Sequence, residues 1–281
     1  MTDTVNSRDP GEVQLYAIPS IIGVLDKPGL VGWAARETAK EAVRVASSLP
    51  QWVERRGAER TEAWLADARF RSPADGSMTS ASLGRMVHDE IKQFVLTGQR
   101  RSIADVEAAA MVDTFVAWST AFQPEHVAAA TTVYNLRHGY AGQLDGIMDL
   151  GDKRYLIDYQ VSRTDRDAKG RPTMPYPETA LSLAALRHAS HIAVWRARIN
   201  GMKWDASRYL ISAEENAQAL PMLKVDGALC LWITPERCEA YPVKTDVAAL
   251  NVFLRVMEAW IWRTEQAAEG IGAPLVLEEA A

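Results

Sequence analysis

Apolar positions recur along this chain first at helical spacing, then at strand spacing, and return to helical spacing near its end. Residues 1–15 are polar and read as a disordered N-terminus, and residues 16–25 (YAIPSIIGVL) as a short buried segment. Lys27-Pro28-Gly29 punctuates the chain, and a helix is expected over residues 30–48, with Leu30, Trp33, Ala34 and Ala42 as its packing face. Pro50 is expected to end that helix, residues 61–68 to form a second one, and residues 72–80 to be a loop by composition. The next helix has Ser80 or Ser82 as its cap and Gly98 as its close. Its core stripe is Leu83, Met86 or Val87, Ile91, and Phe94 or Val95, with His88 at the edge. Residues 102–122 read as another helix and residues 127–135 as a β-rich run.

The stretch over residues 139–162, GYAGQLDGIMDLGDKRYLIDYQVS, organises the rest. Two runs rich in β-formers flank Gly151-Asp152, a dipeptide suited to a two-residue hairpin turn with glycine first. Leu150 then pairs with Lys153, and by the same register Asp145 lies across from Asp158. Alternation keeps Asp158 and Gln160 on one face and Ile157, Tyr159 and Val161 on the other. Opposed side chains lie roughly 4.5–5.5 Å apart at Cβ, where like charges repel. A hard divalent cation such as Mg²⁺ would relieve that repulsion; in the plainer alternative, the two acids of an exposed hairpin repel weakly in water.

Residues 163–177 (RTDRDAKGRPTMPYP) form a flexible basic loop beside this acidic face, or a merely solvated charged one. A strong helix is expected over residues 177–200, strands over 208–213, 228–234 and 238–243, and a final helix over 247–268. Residues 269–281 read as a flexible tail. This order fits one α/β domain over residues 16–268, a mixed sheet flanked by helices, with a helical part over 16–122 and a core over 80–268.

Composition narrows the function classes. The chain has 281 residues, 48% apolar and 24% charged, an ordinary globular balance. No apolar run approaches the ~20 residues of a membrane span, and the N-terminus lacks a signal-peptide pattern. Two cysteines, Cys230 and Cys238, are too few for a disulfide framework or a four-cysteine iron–sulfur cluster, so a cytoplasmic setting is expected. The net charge of −5 argues against indiscriminate coating of nucleic acid but allows a local basic groove.

Taken together, GRMVHDEI, AGQLDGI, LIDYQVS and YPETALSLAALRHA, in that order, resemble the PD-(D/E)XK nucleases, and most nearly the RecB-like exonucleases of bacteriophages. SIIGVLDKPGLVGWAARETA and VDGALCLWITPERCEAYPV are also similar to that family, so the likeness spans roughly residues 16–262. It implies a restriction-endonuclease-like core and Mg²⁺- or Mn²⁺-dependent hydrolysis of DNA in a bacterial host. His88, Asp145 and Asp158 match the family's metal ligands, with the backbone carbonyl of Ile157 or Tyr159 as a further ligand. Asp145, Asp158 and Gln160 are then the catalytic set, and Arg163, Arg166, Lys169 and Arg171 the nucleic-acid contacts.

The departures are specific. Gln160 stands where the family has a catalytic lysine, Ser182 and Leu186 where relatives place Gln and Tyr, and Ala129-Ala130 where many carry a glutamate. Glutamine can donate a hydrogen bond but brings no charge, and loss of one transition-state donor costs on the order of 10²–10³ in rate. Two expectations follow: a metal-dependent exonuclease-like DNA nuclease, or a catalytically degenerate nuclease fold that binds DNA or a partner protein without cleaving. A metal-dependent hydrolase of another phosphate ester is a third.

Overall fold

Gly151 adopts φ +63°, a backbone conformation that L side chains rarely take, and so lets the chain reverse between two long strands. These are β3 (Tyr140–Leu150) and β4 (Lys153–Val161), following β1 (Val13–Ala17) and β2 (Glu125–Asn135) in the chain. Their register is the expected one, from Leu150 opposite Lys153 to Gly146 opposite Ile157. The computed structural model describes residues 13–25, 28–70, 78–167, 169–193 and 208–272. Most of the expected disordered N-terminus, of the loop over 72–80 and of the C-terminal tail lies outside the described residues.

Two compact units divide the chain, a smaller one over Leu25–Asp89 and a larger one formed by Met1–Val24 and Glu90–Ala281. The smaller unit is helical, with α2 (Pro28–Arg44), α3 (Leu49–Arg56) and α4 (Ala58–Ala66) following the short α1 (Ile18–Ile22) of the larger unit. The helix expected to run to residue 48 and end at Pro50 ends at Arg44; Pro50 instead sits in the first turn of α3, where its missing N–H costs nothing. Trp52 and Trp64 meet edge to face at 4.7 Å between ring centroids, tying α3 to α4. The helix α5 (Ser80–Thr97) begins in this unit and ends in the larger one. Its cap is Thr79, whose hydroxyl accepts from the Ser82 N–H, rather than Ser80 or Ser82; Leu83, Val87 and Ile91 are its buried stripe.

The larger unit is a mixed α/β arrangement with an open, mostly antiparallel central sheet flanked by helices. Its later strands are β5 (His191–Ile192), β6 (Arg208–Ile211), β7 (Leu220–Pro221), β8 (Gly227–Ile233) and β9 (Cys238–Val243). The main order is β7-β5-β2-β3-β4-β8-β9, with β1 pairing parallel to the start of β3 and antiparallel to β6. One edge of β3 is therefore shared, Tyr140 and Ala141 with β1 and Gly146–Leu150 with β4. β4 leaves β3 after Ile157 but stays paired, parallel, with β8 through Val161.

Helices cover both faces. Asp105 caps α6 (Val106–Phe122), shorter than the helix expected over 102–122 because Asp105 turns the chain into it. Phe115 of α6 packs edge to face on Tyr159 at 5.5 Å, while the neighbouring Gln160 bonds Thr179 of α7 (Thr179–Arg187), so α6 and α7 lie on opposite faces. On the α7 side, α1 and α9 (Val247–Ile261) pack with it.

Two expectations are corrected. The helix over 177–200 ends at Arg187, because the free edge of β2 captures the backbone: Ser190 N–H donates to Tyr134 O and Ala193 N–H to Thr132 O. The Asn135 amide adds to that capture by donating to His188 O, and residues 194–200 lie outside the described residues. The strand over 208–213 stops at Ile211 because Ser212 and Glu215 form a reciprocal capping box that starts α8 (Ala213–Gln218). Among the described residues no helix is long and apolar enough to cross a membrane.

Gly142 lets α1 and α7 approach β3. A Cβ there would stand 2.7 Å from Ile18 Cδ1 and 3.0 Å from Leu186 Cδ2, inside ordinary contact. Gly142→Val is expected to destabilise the fold by about 1–3 kcal/mol, measured as a lower urea midpoint at unchanged m-value.

Candidate functional site

Asp145 sits at the point where β3 and β4 part. The ladder between them stops at Gly146–Ile157, and the next donor on β4, the Tyr159 N–H, is taken by the Asp145 carboxylate at 2.8 Å. A side-chain oxygen thus replaces the missing strand acceptor, which keeps a buried N–H satisfied. Asp145 is half-buried; burial pushes its carboxyl from the ordinary 3.8 up to about 6, and the Tyr159 N–H offsets this only in part.

Asp158 is held by two side-chain donors, Cys230 and Gln160. It pairs in register with Cys230 of β8, whose thiol donates to Asp158 Oδ2 at 3.7 Å, and the same oxygen accepts from Gln160 Nε2 at 2.7 Å. Gln160 Nε2 also contacts the Thr179 hydroxyl at 2.5 Å, and Gln160 Oε1 accepts from the Tyr176 N–H at 3.3 Å. The amide therefore ties β4 to the first residue of α7 and to the loop before it. Burial, then the Asp158 and Asp145 carboxylates, pushes the Cys230 thiol far above its ordinary value, so it stays a neutral donor. Tyr159, on the opposite face, has its phenol raised first by burial and then by Asp145.

The remaining sequence-predicted residues fall out as follows. A strand residue's N–H and C=O point to the same side, so the Tyr159 carbonyl looks toward β3 beyond the ladder, whereas that of Ile157 faces Gly146 within it. His88 is half-buried on α5 in the smaller unit, while both carboxylates belong to the larger one. Among the described residues no group of three or more His, Cys, Asp or Glu side chains is placed to hold a metal ion. Leu186 packs over Gly142, and Ser182 is half-buried on the same helix.

The loop after β4 is not the unstructured segment expected from its glycine and prolines. Arg166 and Pro172 bridge across it, Asp167 N–H donates to Arg171 O, and Thr173 N–H donates to Asp165 O, making a short hairpin arm. Arg163 pairs with Glu107 at 2.9 Å and Arg171 with Asp167 at 2.6 Å, and Asp165 pairs with Arg237. Arg166 and Lys169 carry the arm's exposed positive charge.

Cys230, Thr179 and Tyr176 belong to the site, yet sequence reasoning passed over them. Cys230 reaches Asp158 through a parallel pairing of strands 72 residues apart, which no local pattern announces. Thr179 and Tyr176 carried a weak signal, since both lie within or next to the Pro-Tyr-Pro run that opens α7.

No protein-family model and no curated protein matches the chain. A solved structure titled "Crystal structure of SSO0001" is similar over 89% of this chain and 76% of its own, at 14% identity and a TM-score of 0.32. A likeness that low carries no argument about fold or function.

The donor chemistry of the site fits a hard divalent ion. Two carboxylates and a backbone carbonyl are oxygen donors of the kind Mg²⁺ and Mn²⁺ take, often with waters and substrate phosphate completing the shell. The one nearby sulfur is held protonated and is no thiolate ligand. A cation would also stabilise the buried Asp145 charge that burial disfavours.

Asp145 has a stability consequence of definite sign. Its folded pKa lies above the ordinary carboxylate value, so the fold loses stability as pH rises from about 4 through about 6. Asp145→Asn keeps an acceptor for the Tyr159 N–H and removes that cost. In EDTA the variant is expected to be more stable than wild type by roughly 1–3 kcal/mol above pH 7, with the difference shrinking toward zero near pH 4. Paired thermal melts across pH check this, and a pH-independent difference would refute it.

Proposed function

We propose that this chain is a metal-dependent DNA nuclease of the PD-(D/E)XK type, with exonuclease-like phosphodiester hydrolysis at Asp145 and Asp158. The observation that carries the reading is the strand fork itself, where a half-buried carboxylate and a second carboxylate come from adjacent strands of a mixed sheet. Asp145, Asp158 and the Tyr159 carbonyl would hold Mg²⁺ or Mn²⁺. The bound ion would lower the pKa of a water and act as a Lewis acid on the phosphoryl oxygens. The chain's own part is orientation: Tyr159 N–H aims Asp145, and Cys230 and Gln160 aim Asp158. A restriction-endonuclease-like core is part of this proposal and draws support from the helix-flanked mixed sheet.

A second reading, a degenerate nuclease fold that binds DNA or a protein without cleaving, is favoured by one observation. Gln160 has its amide and carbonyl engaged by Asp158, Thr179 and Tyr176, so it acts as a structural tie rather than a group presented to substrate. A lysine could keep the donors to Asp158 and Thr179 but could not accept from Tyr176.

The test is cleavage of labelled duplex and single-stranded DNA with Mg²⁺ or Mn²⁺. Wild type is expected to cleave slowly, Asp158→Ala to abolish cleavage, and Gln160→Lys to raise it by up to ~10²-fold. No cleavage by either wild type or Gln160→Lys, with metal binding shown by calorimetry, would decide for the second reading.

A further inference from the structure

Tyr176 is an exposed aromatic that the chain holds rigid beside the strand fork. It is 59% exposed, as is its neighbour Met174 at 61%. Pro175 and Pro177 flank it, the latter restricting Tyr176 to extended backbone. Its N–H is bonded to Gln160 Oε1 at 3.3 Å, and its ring meets the buried Trp232 in a T-shaped contact, with 6.0 Å between centroids and 81° between planes. Trp232 is in turn fixed by donating from Nε1 to the Thr173 hydroxyl at 3.2 Å. A T-shaped contact leaves at least one face of the tyrosine ring uncovered by this partner. The same arm carries Arg166 and Lys169 outward, while its acids Asp165 and Asp167 are neutralised by Arg237 and Arg171.

A fixed, exposed ring near cationic side chains is the arrangement on which unpaired bases stack, with charge tracking the phosphates. A base inside a duplex offers no free face to it. We infer that Tyr176 is a stacking platform for an unpaired base and that the arm of residues 163–177 selects single-stranded DNA at the Asp145–Asp158 site. This rests on the nuclease reading for its substrate class, but the stacking contact itself needs no catalysis. The bond from Tyr176 N–H to Gln160 places the platform one hydrogen bond from a residue that orients Asp158, so the stacked base would be held at the site's rim.

Binding of a fluorescent oligo-dT and of a blunt duplex to the full chain, measured by anisotropy in EDTA, tests this. Tyr176→Ala is expected to weaken oligo-dT binding by about tenfold or more, Tyr176→Phe to leave it unchanged, and neither to alter duplex binding. An oligonucleotide carrying 5-iododeoxyuridine should photocrosslink to Tyr176 in the wild-type protein, a readout independent of how the variants fold. Equal oligo-dT affinity for wild type and Tyr176→Ala, with the crosslink elsewhere, overturns the inference and leaves the nuclease reading standing. Tyr176-dependent binding without cleavage under any metal supports the platform and removes the enzyme. Failure of wild type to bind either DNA at low salt overturns both, and points the exposed ring toward a protein partner.

Discussion

One strand edge is divided between two partners. β3 gives Tyr140 and Ala141 to β1 and Gly146–Leu150 to β4, so between them its ladder must open. A buried backbone N–H without an acceptor is costly, and the chain answers with the Asp145 carboxylate on Tyr159 N–H. That substitution sets a carboxylate into the fork, where burial disfavours its charge. Structural need and chemical potential therefore reside in one side chain. The same group that closes a gap in the ladder is the one a cation would stabilise most.

The second carboxylate is oriented by neutral donors. Around Asp158 stand a protonated thiol, a carboxamide and, through the amide, a hydroxyl. Such donors orient a carboxylate without neutralising it, which suits a cation ligand. Gln160 ties β4 to Thr179 at the start of α7, and its carbonyl fixes the backbone of Tyr176. The loop it anchors is ordered into an arm by its own hydrogen bonds and ion pairs.

Packing around the fork follows from small residues and aromatic anchors. Gly142 admits Ile18 and Leu186, bringing α1 and α7 down on β3, and Phe115 covers Tyr159 on the other face. With Thr179 at the start of α7 meeting Gln160, the position of that helix fixes the site from behind.

Features with a local cause could be read from residue order alone. The Gly151-Asp152 turn fixed the register of β3 on β4 from Leu150–Lys153 to Gly146–Ile157, because a two-residue hairpin leaves no freedom of alignment; the ladder opens before the expected Asp145–Asp158 pair, where Asp145 takes the Tyr159 N–H instead. The stripe Leu83, Val87 and Ile91 came from helical periodicity, and the Ser212–Glu215 capping box was present to be read though it was passed over. Non-local causes decided the rest. The end of α7 at Arg187 came from the hungry edge of β2, which outcompeted helix propensity. The approach of Cys230 to Asp158 came from a parallel pairing with no turn to announce it. The order of the basic arm came from partners on α6 and near β9, Glu107 and Arg237, far away in sequence. Hairpin register and helix periodicity are set by neighbours along the chain, whereas parallel pairing and edge capture depend on which surfaces meet once it has folded.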